Sequence, residues 1–321
     1  MHSRNATPLP SIRLFTVALA LLLAALTVFP AFSAHAQDNR AGLAISPPSY
    51  ELSANPGDTI TNTIRVDNLI DQAQEVTVSP RNFTALGEEG QVNLTEEDST
   101  YSLAKWITIA PAKGSVAPKE SQEFTYTIKV PANAEPGGRF GSIVFKTTAR
   151  PLQGQSGVAV GQEIGSLLFL KIAGNVQEKS SVADFKAARA INEYKPVPFE
   201  VRVKNEGNVH LRPKGTVTIT NIFGKKVATV PLESRNVLPD AVRKMTAEWK
   251  DGGRLIFGRY TATVSVVYGS DNQIATASTT FWGFPYTIML VILGALILLG
   301  GLAFKARVRL KLALRALSGK S

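Results

Sequence analysis

Apolar and polar residues alternate with a period of two through most of the middle of the chain. In segment 124–130, Phe, Tyr, Ile and Val occupy every second position, and segments 197–204 and 260–268 show the same alternation. Successive side chains of a β-strand point to opposite faces of a sheet, so this pattern predicts half-buried strands. Turn-forming residues, as in segments 55–58 and 269–272, separate the strands.

No amphipathic helix of useful length is predicted between the two ends of the chain. The pattern predicts an all-β fold of two immunoglobulin-like antiparallel β-sandwiches, with domain 1 at residues 37–176 and domain 2 at residues 177–281. The Gly- and Gln-rich stretch 151–165 resembles a linker, but the strand-like segment 166–173 follows it. We therefore interpret 151–165 as a long hairpin loop and 166–173 as the last strand of domain 1.

The amino-terminal segment, residues 1–36, has the organisation of a signal peptide. Arg4 and Arg13 give a positive start, the uncharged apolar run 17–29 follows, and an A-x-A site ends at Ala36. An uncleaved amino-terminal anchor is the alternative. In both cases the middle of the chain is expected on the extracytoplasmic side.

Near the carboxyl end, an uncharged apolar run is long enough to cross a bilayer as a helix. We predict a transmembrane helix at 282–304 and a basic cytoplasmic tail at 305–321. The aromatic residues Trp282 and Tyr286 suit one headgroup zone, and a basic cluster flanks the other end. The predicted anchor residues of this cluster are Lys305, Arg307, Arg309 and Lys311. The localisation predicted is a single-pass protein of the cell membrane with its carboxyl terminus in the cytoplasm.

The formal net charge of +10 is concentrated at the ends of the chain. Residues 37–304 contain 27 basic and 25 acidic side chains, so a nucleic-acid partner is not predicted. The charge is uneven within this middle part, since residues 37–150 have a net charge of −4 and residues 151–281 one of +6. We hypothesise that the basic half lies against anionic envelope polymers or lipid headgroups.

The residue inventory does not favour an enzyme. There is no cysteine, which excludes disulfides and thiol catalysis, and His210 is the single histidine left after removal of residues 1–36. We interpret His210 as a surface residue and the acidic groups at 88–89 and 96–98 as a solvated loop. A calcium site in that loop is the alternative. No cofactor and no metal site is predicted.

Trp106 and Arg139 are the candidate binding residues. Trp106 can be a core anchor or a stacking platform for sugar rings. Arg139 can present its guanidinium to an anionic glycan or lie solvated in a loop.

The first half of the chain contains the turn and strand segments Pro48-x-Tyr50-Glu-Leu52, Pro56-Gly57-Asp58-Thr59, Ile64-Arg-Val66-Asp-Asn68, Val130-Pro131-Ala-Asn-Ala134-Glu-Pro136-Gly137-Gly138 and Gly141-Ser-Ile143-Val-Phe145. These segments resemble those of a bacterial surface-protein family, the WxL-interacting proteins. The resemblance covers about residues 43–173. It implies a peptidoglycan-binding type of first domain and a second domain that binds a partner.

The sequence therefore favours a membrane-anchored, extracytoplasmic binding or scaffold protein. The expected partners are the membrane and either peptidoglycan, another envelope polymer or another surface protein. A structural subunit that pairs edge strands with a neighbour is an alternative, and a cell-wall hydrolase is a further one.

Overall fold

A computed structural model describes residues 42–147 and 161–317 of the chain. The predicted signal peptide at 1–36 and residues 151–160 of the predicted hairpin loop lie outside the described residues. Both sandwiches and the helix that follows them belong to one compact unit.

Within the described residues, ten strands build the first sandwich, and a short 3-10 turn, Ala104–Trp106, precedes the sixth. The strands are β1 (Leu43–Ser46), β2 (Ser49–Ala54), β3 (Thr59–Asn68), β4 (Gln74–Leu86), β5 (Gln91–Thr95), β6 (Ile107–Ala110), β7 (Lys113–Val116), β8 (Ser121–Lys129), β9 (Gly137–Thr147) and β10 (Glu163–Ile172). One sheet has the order β1-β3-β8-β6. The other has the order β2-β10-β9-β4-β5, and β7 pairs with the first part of β4.

The second sandwich repeats this plan with eight strands among the described residues. They are β11 (Ser180–Ala187), β12 (Ile191–Asn192), β13 (Val197–Asn205), β14 (Lys214–Asn221), β15 (Lys226–Leu232), β16 (Val242–Trp249), β17 (Gly258–Tyr268) and β18 (Gln273–Gly283). A three-stranded sheet, β11-β13-β16, faces a five-stranded sheet, β12-β18-β17-β14-β15. The all-β class and the two-sandwich architecture predicted from the alternation are confirmed.

Most strand pairs are antiparallel, but each sandwich also contains one parallel pair. β2 runs parallel to β10, and β12 runs parallel to β18. In the first sandwich, Pro47 and Pro48 separate β1 from β2. Because proline has no N–H to donate, the ladder with β3 cannot continue, and the chain crosses to the opposite sheet.

The alternating residues of the sequence form the two cores. Phe124, Tyr126 and Ile128 of β8 are buried in the first, and Phe199 and Val201 of β13 are buried in the second. Burying a side chain of this size stabilises the fold by about 1.5–3 kcal/mol. Each core is closed by edge-to-face aromatic pairs, such as Phe124 with Phe145 at 5.2 Å in the first sandwich.

One helix, α1 (Tyr286–Leu317), follows β18 after two residues. Its position differs in detail from the prediction. Trp282 is still part of β18, and the helix continues without a break through the basic cluster that was assigned to a separate tail. Lysine, arginine, leucine and alanine are strong helix formers and no glycine or proline interrupts them, so the helix has no reason to end at residue 304.

Candidate functional site

The second sandwich packs against the outer face of the sheet formed by β4, β9 and β10. Phe83, Phe140 and Phe169 project from these strands and form an apolar cluster of their own, separate from the sandwich core. The rings of Phe83 and Phe169 are 5.4 Å apart, and those of Phe140 and Phe169 are 6.0 Å apart. Leu238 of the second sandwich packs against the cluster. Strands β9 and β10 are thus buried on both faces where this cluster lies.

His210 lies in this interface, and the prediction that it is a surface residue is wrong. Its side chain is 11% exposed, and its ring stands 5.1 Å from that of Phe169 and 5.8 Å from that of Phe140. The Nε2 atom is 2.5 Å from Oε2 of Glu51 in β2. The reason for the error is that the outer face of the first sandwich, which a single domain would leave in water, is covered by the second.

The hairpin between β4 and β5 docks on the second sandwich through its acidic residues. Nε of Arg202 lies 2.6 Å from Oε2 of Glu88, and Lys244 forms an ion pair with Glu89. The backbone N–H of Lys244 also donates to the carbonyl of Glu88 at 2.9 Å. Glu89 is exposed, as the solvated-loop interpretation expects, and Glu88 is partly exposed, but both carboxylates also pair with bases of the second sandwich, which that interpretation did not include.

The other acidic group of the same region makes pairs within the first sandwich. Glu96 pairs with Arg81, and Asp98 pairs with Lys105. In the part of the chain that the structure describes, no group of three or more His, Cys, Asp or Glu side chains is arranged to hold a metal ion.

Trp106 and Arg139 are brought together, but as packed residues. The guanidinium carbon of Arg139 lies 5.6 Å from the centre of the Trp106 ring, a cation–π distance. Arg139 is buried in β9, and its Nη1 atom donates to the carbonyl of Gly138 at 2.9 Å. Burial lowers its pKa. Arg139 is thus not a solvated loop residue, and Trp106 packs against the core.

A cleft between the two sandwiches has a volume of about 330 Å³. We call it the interdomain cleft. One wall consists of residues of β2, β4, β5 and β10, and the other consists of Arg212 and residues of segment 235–243. Phe83, Leu167 and Phe169 give it an apolar floor.

Three arginines, Arg212, Arg235 and Arg243, line the interdomain cleft. Arg235 pairs with Glu233. The Nε atom of Arg243 is buried and has no hydrogen-bond partner among the described residues. Burial, together with the positive charge of Arg235, lowers the pKa of Arg243. A buried, unpartnered donor costs about 1–3 kcal/mol, so an anion at this position would relieve that cost.

A glycine makes room for Arg243. A Cβ atom at Gly90 would lie 1.5 Å from Nη1 of Arg243, and Gly90 has φ +89°. The guanidinium therefore lies directly over the backbone at the tip of the β4–β5 hairpin. The position requires a residue that tolerates a positive φ and has no Cβ, and glycine meets both requirements.

Glu51 is the acidic residue of the cleft, and it is already engaged. Its carboxylate accepts hydrogen bonds from His210 and, at 2.8 Å, from Nδ2 of Asn236. The hydrogen bond from His210, followed by that from Asn236, lowers the pKa of Glu51 against the opposing effect of burial. Glu51 thus fixes the wall of the cleft. Among the described residues that line the cleft, Nε of Arg243 and Oδ1 of Asn236 are buried polar atoms without a hydrogen-bond partner.

The predicted anchor residues lie at the start of α1 and in its second half. Trp282 and Tyr286 are about half exposed at the junction of β18 and α1, and Lys305, Arg307, Arg309 and Lys311 lie in the second half of the helix. Residues Tyr286–Lys311 form a helix long and apolar enough to cross a membrane, with none of its apolar window buried. At 1.5 Å per residue, these 26 residues extend about 39 Å, which exceeds a hydrocarbon core of about 30 Å.

No protein-family model matches the chain, and no curated protein matches it at a significant level. Solved structures do match. The YadV chaperone is 11% identical with a TM-score of 0.36, and the match covers 75% of this chain and 100% of that one. The Class 5 fimbriae chaperone CfaA is 13% identical with a TM-score of 0.40, covering 74% and 98%.

A third match is the Escherichia coli chaperone DraB, which is 13% identical with a TM-score of 0.34, covering 75% of this chain and 95% of that one. Likeness of this degree concerns the sandwich architecture alone and does not define a ligand.

The residues of the interdomain cleft were missed by the sequence analysis. One signal pointed to them, namely the opposite net charges of the two halves. Some of these opposite charges pair with each other across the interface, where Glu88 binds Arg202 and Glu89 binds Lys244. Opposite charges on consecutive domains can therefore indicate that the domains bind each other.

Proposed function

We propose that this protein is a single-pass, membrane-anchored binding protein that holds an anionic group of an envelope partner in its interdomain cleft. The observation that carries the proposal is Arg243, whose guanidinium lines an apolar-floored cleft and whose buried Nε has no partner among the described residues. Charge-assisted hydrogen bonds from arginine to a carboxylate or phosphate are among the stronger polar contacts in proteins.

The anchor supports an extracytoplasmic position for the cleft. The exposed apolar helix and its basic carboxyl-terminal half agree with a span whose carboxyl end is cytoplasmic. β17 has 11 residues and extends from the helix end of the second sandwich to its other end. At about 3.3 Å per residue, the cleft would lie roughly 35 Å from the bilayer.

The partner that fits is an acidic component of the envelope, either a wall polymer such as peptidoglycan or an acidic surface protein. Both offer carboxylates for the arginines and apolar groups for the floor of Phe83 and Phe169. The resemblance to the WxL-interacting proteins agrees with both classes. The proposed role is binding without catalysis, and release of products from labelled peptidoglycan would contradict it.

A photo-crosslinking experiment in the native envelope tests the proposal. The full chain would carry a photo-reactive amino acid either at Gln91, which lines the cleft, or at Thr276, which is exposed on the outer face of the second sandwich. We expect an adduct from Gln91 only. Digestion with lysozyme or with protease then separates a polysaccharide partner from a protein partner.

The Arg243→Gln substitution tests whether the guanidinium of Arg243 binds an anionic group of the partner. Loss of one charge-assisted hydrogen bond, worth about 1.5–3 kcal/mol, should lower the adduct yield at Gln91 by roughly one to two orders of magnitude. Arg243→Lys should retain part of the yield. Equal adducts from Gln91 and Thr276, or a yield unaffected by Arg243→Gln, would contradict the proposal.

Edge-strand pairing has less support from the described strands. β1 and β6 have four residues each, β15 contains Pro231, and the pairing of β11 shifts register between Val182 and Asp184. Short strands, prolines and bulges are features that protect sheet edges. The edge of β16 is occupied in part by the β4–β5 hairpin through the bond from Lys244 to Glu88.

A further inference from the structure

The end of the second sandwich from which α1 leaves bears a group of exposed apolar side chains. They are Ile191, Ile222, Phe223, Leu255, Phe257 and Trp282, and we call them the apolar collar. Each is more than half exposed, with Phe223 at 89% and Phe257 at 71%. Large exposed apolar side chains grouped on one surface mark an interaction site rather than ordinary protein surface.

Strand register places the collar at one end of the five-stranded sheet. Gly258, the first residue of β17, pairs with Gly283, the last of β18, so Leu255 and Phe257 lie just beyond that end. Asn221, the last residue of β14, pairs with Tyr260, which brings the turn containing Ile222 and Phe223 to the same end.

Two further pairs complete the collar. Ile191 of β12 pairs with Trp282 of β18. Leu255 forms an isolated bridge with Tyr194, in the segment that follows β12. Four separate parts of the sequence thus present apolar residues around the start of α1. The opposite end of the sheet, by contrast, has the polar turn 269–272.

The first turn of α1 is fixed to the same end of the sandwich. The N–H of Phe284 donates to the carbonyl of Asn192 at 2.9 Å, and the N–H of Thr287 donates to the carboxylate of Glu193 at 2.8 Å. The rings of Phe257 and Phe284 are 6.2 Å apart. Because the helix is held at its base, the collar has a defined height relative to any bilayer that the helix crosses.

The charges around the collar are mainly positive. Residues 188–196, 222–226 and 248–259, which lie at this end, contain seven bases and three acids, and the acids are Glu193, Glu248 and Asp251. The bases are Arg189, Lys195, Lys225, Lys226, Lys250, Arg254 and Arg259. Basic side chains close to an anionic membrane surface each add about 1 kcal/mol of attraction, and phenylalanine and tryptophan favour the interfacial zone.

We infer that the apolar collar inserts into the headgroup region of the outer leaflet, so that the second sandwich rests on the bilayer by its β-turns as well as by its helix. The inference rests on the membrane anchoring of the proposed function. The occupant of the collar is lipid, since the collar surrounds the base of the apolar helix and the bases beside it complement anionic headgroups. A lipid contact at this end fixes the orientation of the interdomain cleft.

Single-cysteine labelling tests the inference, because the chain contains no cysteine. Phe223→Cys, Thr276→Cys and Leu296→Cys variants of the full chain would each carry an environment-sensitive NBD dye in vesicles of phosphatidylcholine and phosphatidylglycerol. Phe223 and Thr276 are exposed, so neither substitution should disturb the fold. Leu296 lies in the apolar part of α1 and reports the anchoring itself.

We expect the dye at Phe223→Cys to show blue-shifted emission, to be protected from aqueous iodide, and to lose most of its emission to lipids with a headgroup-level quencher. The dye at Thr276→Cys should stay accessible to iodide. If Leu296→Cys is shielded while Phe223→Cys is as accessible as Thr276→Cys, the collar inference is overturned and the anchoring stands. If Leu296→Cys is itself accessible to iodide, the anchoring fails and the inference fails with it.

Discussion

Glu178 lies in the segment that joins the two sandwiches, and its carboxylate contacts both of them. Nζ of Lys171, at the end of β10, donates to Oε1 at 2.7 Å. The N–H and the hydroxyl of Ser270, in the turn between β17 and β18, donate to Oε2 at 2.6 and 2.7 Å. The side chain of Glu178 is 13% exposed, and its bond from Lys171 is partly buried, whereas the bonds from Ser270 lie at the surface.

The pKa of Glu178 gives the size of the effect. Burial alone would raise this pKa, but the hydrogen bonds from Lys171 and Ser270 outweigh burial and lower it from 4.5 to about 2. At about 1.36 kcal/mol per pKa unit, this shift corresponds to about 3 kcal/mol as an upper bound, and solvent screening of the surface bonds from Ser270 reduces the gain to about 2 kcal/mol. Because the folded pKa is depressed, this stability is present above about pH 4.5 and is lost as the pH falls towards 2.

The Glu178→Gln substitution removes the charge and keeps one oxygen acceptor, so we expect a loss of about 2 kcal/mol at neutral pH. Urea unfolding of the full chain in detergent, followed by tryptophan fluorescence at several pH values, measures it. The matched control is Glu248→Gln, since Glu248 forms an exposed pair with Lys250 at 3.7 Å and should contribute less than about 1 kcal/mol. If the unfolding free energy of Glu178→Gln is within about 0.5 kcal/mol of that of the unmutated chain, which is the size of the measurement error, the reasoning is refuted.

Three further substitutions test the interface and the cleft. Gly90→Ala should displace Arg243 from the hairpin tip and lower the yield of the Gln91 crosslink relative to the unmutated chain. An unchanged yield would contradict the placement of Arg243. Asn205→Ala should destabilise the second sandwich by about 2–4 kcal/mol in urea unfolding, because the fully buried side-chain amide of Asn205 forms three hydrogen bonds. A loss below about 1 kcal/mol would contradict that role. Phe169→Ala should cost about 3–5 kcal/mol and increase amide hydrogen exchange in β9, whereas unchanged exchange around Phe140 would show that the interface does not depend on these rings.

The cores could be predicted from the sequence because strands with one buried face show a period of two. Phe124 and Tyr126 of β8, and Phe199 of β13, occupy the predicted buried faces. The interface could not be predicted in this way. Phe140 and Phe169 lie in strands buried on both faces, where the alternation that identifies a core disappears.

Individual polar residues of the site were missed for a related physical reason. His210 and Glu88 are adjacent to turns, and a turn residue is solvated in an isolated domain but not where a second domain covers it. Arg139 was assigned to a loop although it is in β9, since the glycines before it hide the start of that strand. Contacts between residues separated by more than a hundred positions, such as Glu88 with Arg202, leave no local pattern in the sequence.

We propose that the interdomain cleft lies on the outer side of a membrane that α1 crosses. Labelling of single-cysteine variants with a membrane-impermeant maleimide tests it most directly, with Gln91→Cys in the cleft and Lys311→Cys near the carboxyl end of the span. In cells whose membrane is intact and whose wall has been opened, we expect Gln91→Cys to be labelled and Lys311→Cys to be labelled only after permeabilisation. Labelling of Lys311→Cys in intact cells, or of Gln91→Cys only after permeabilisation, would contradict it.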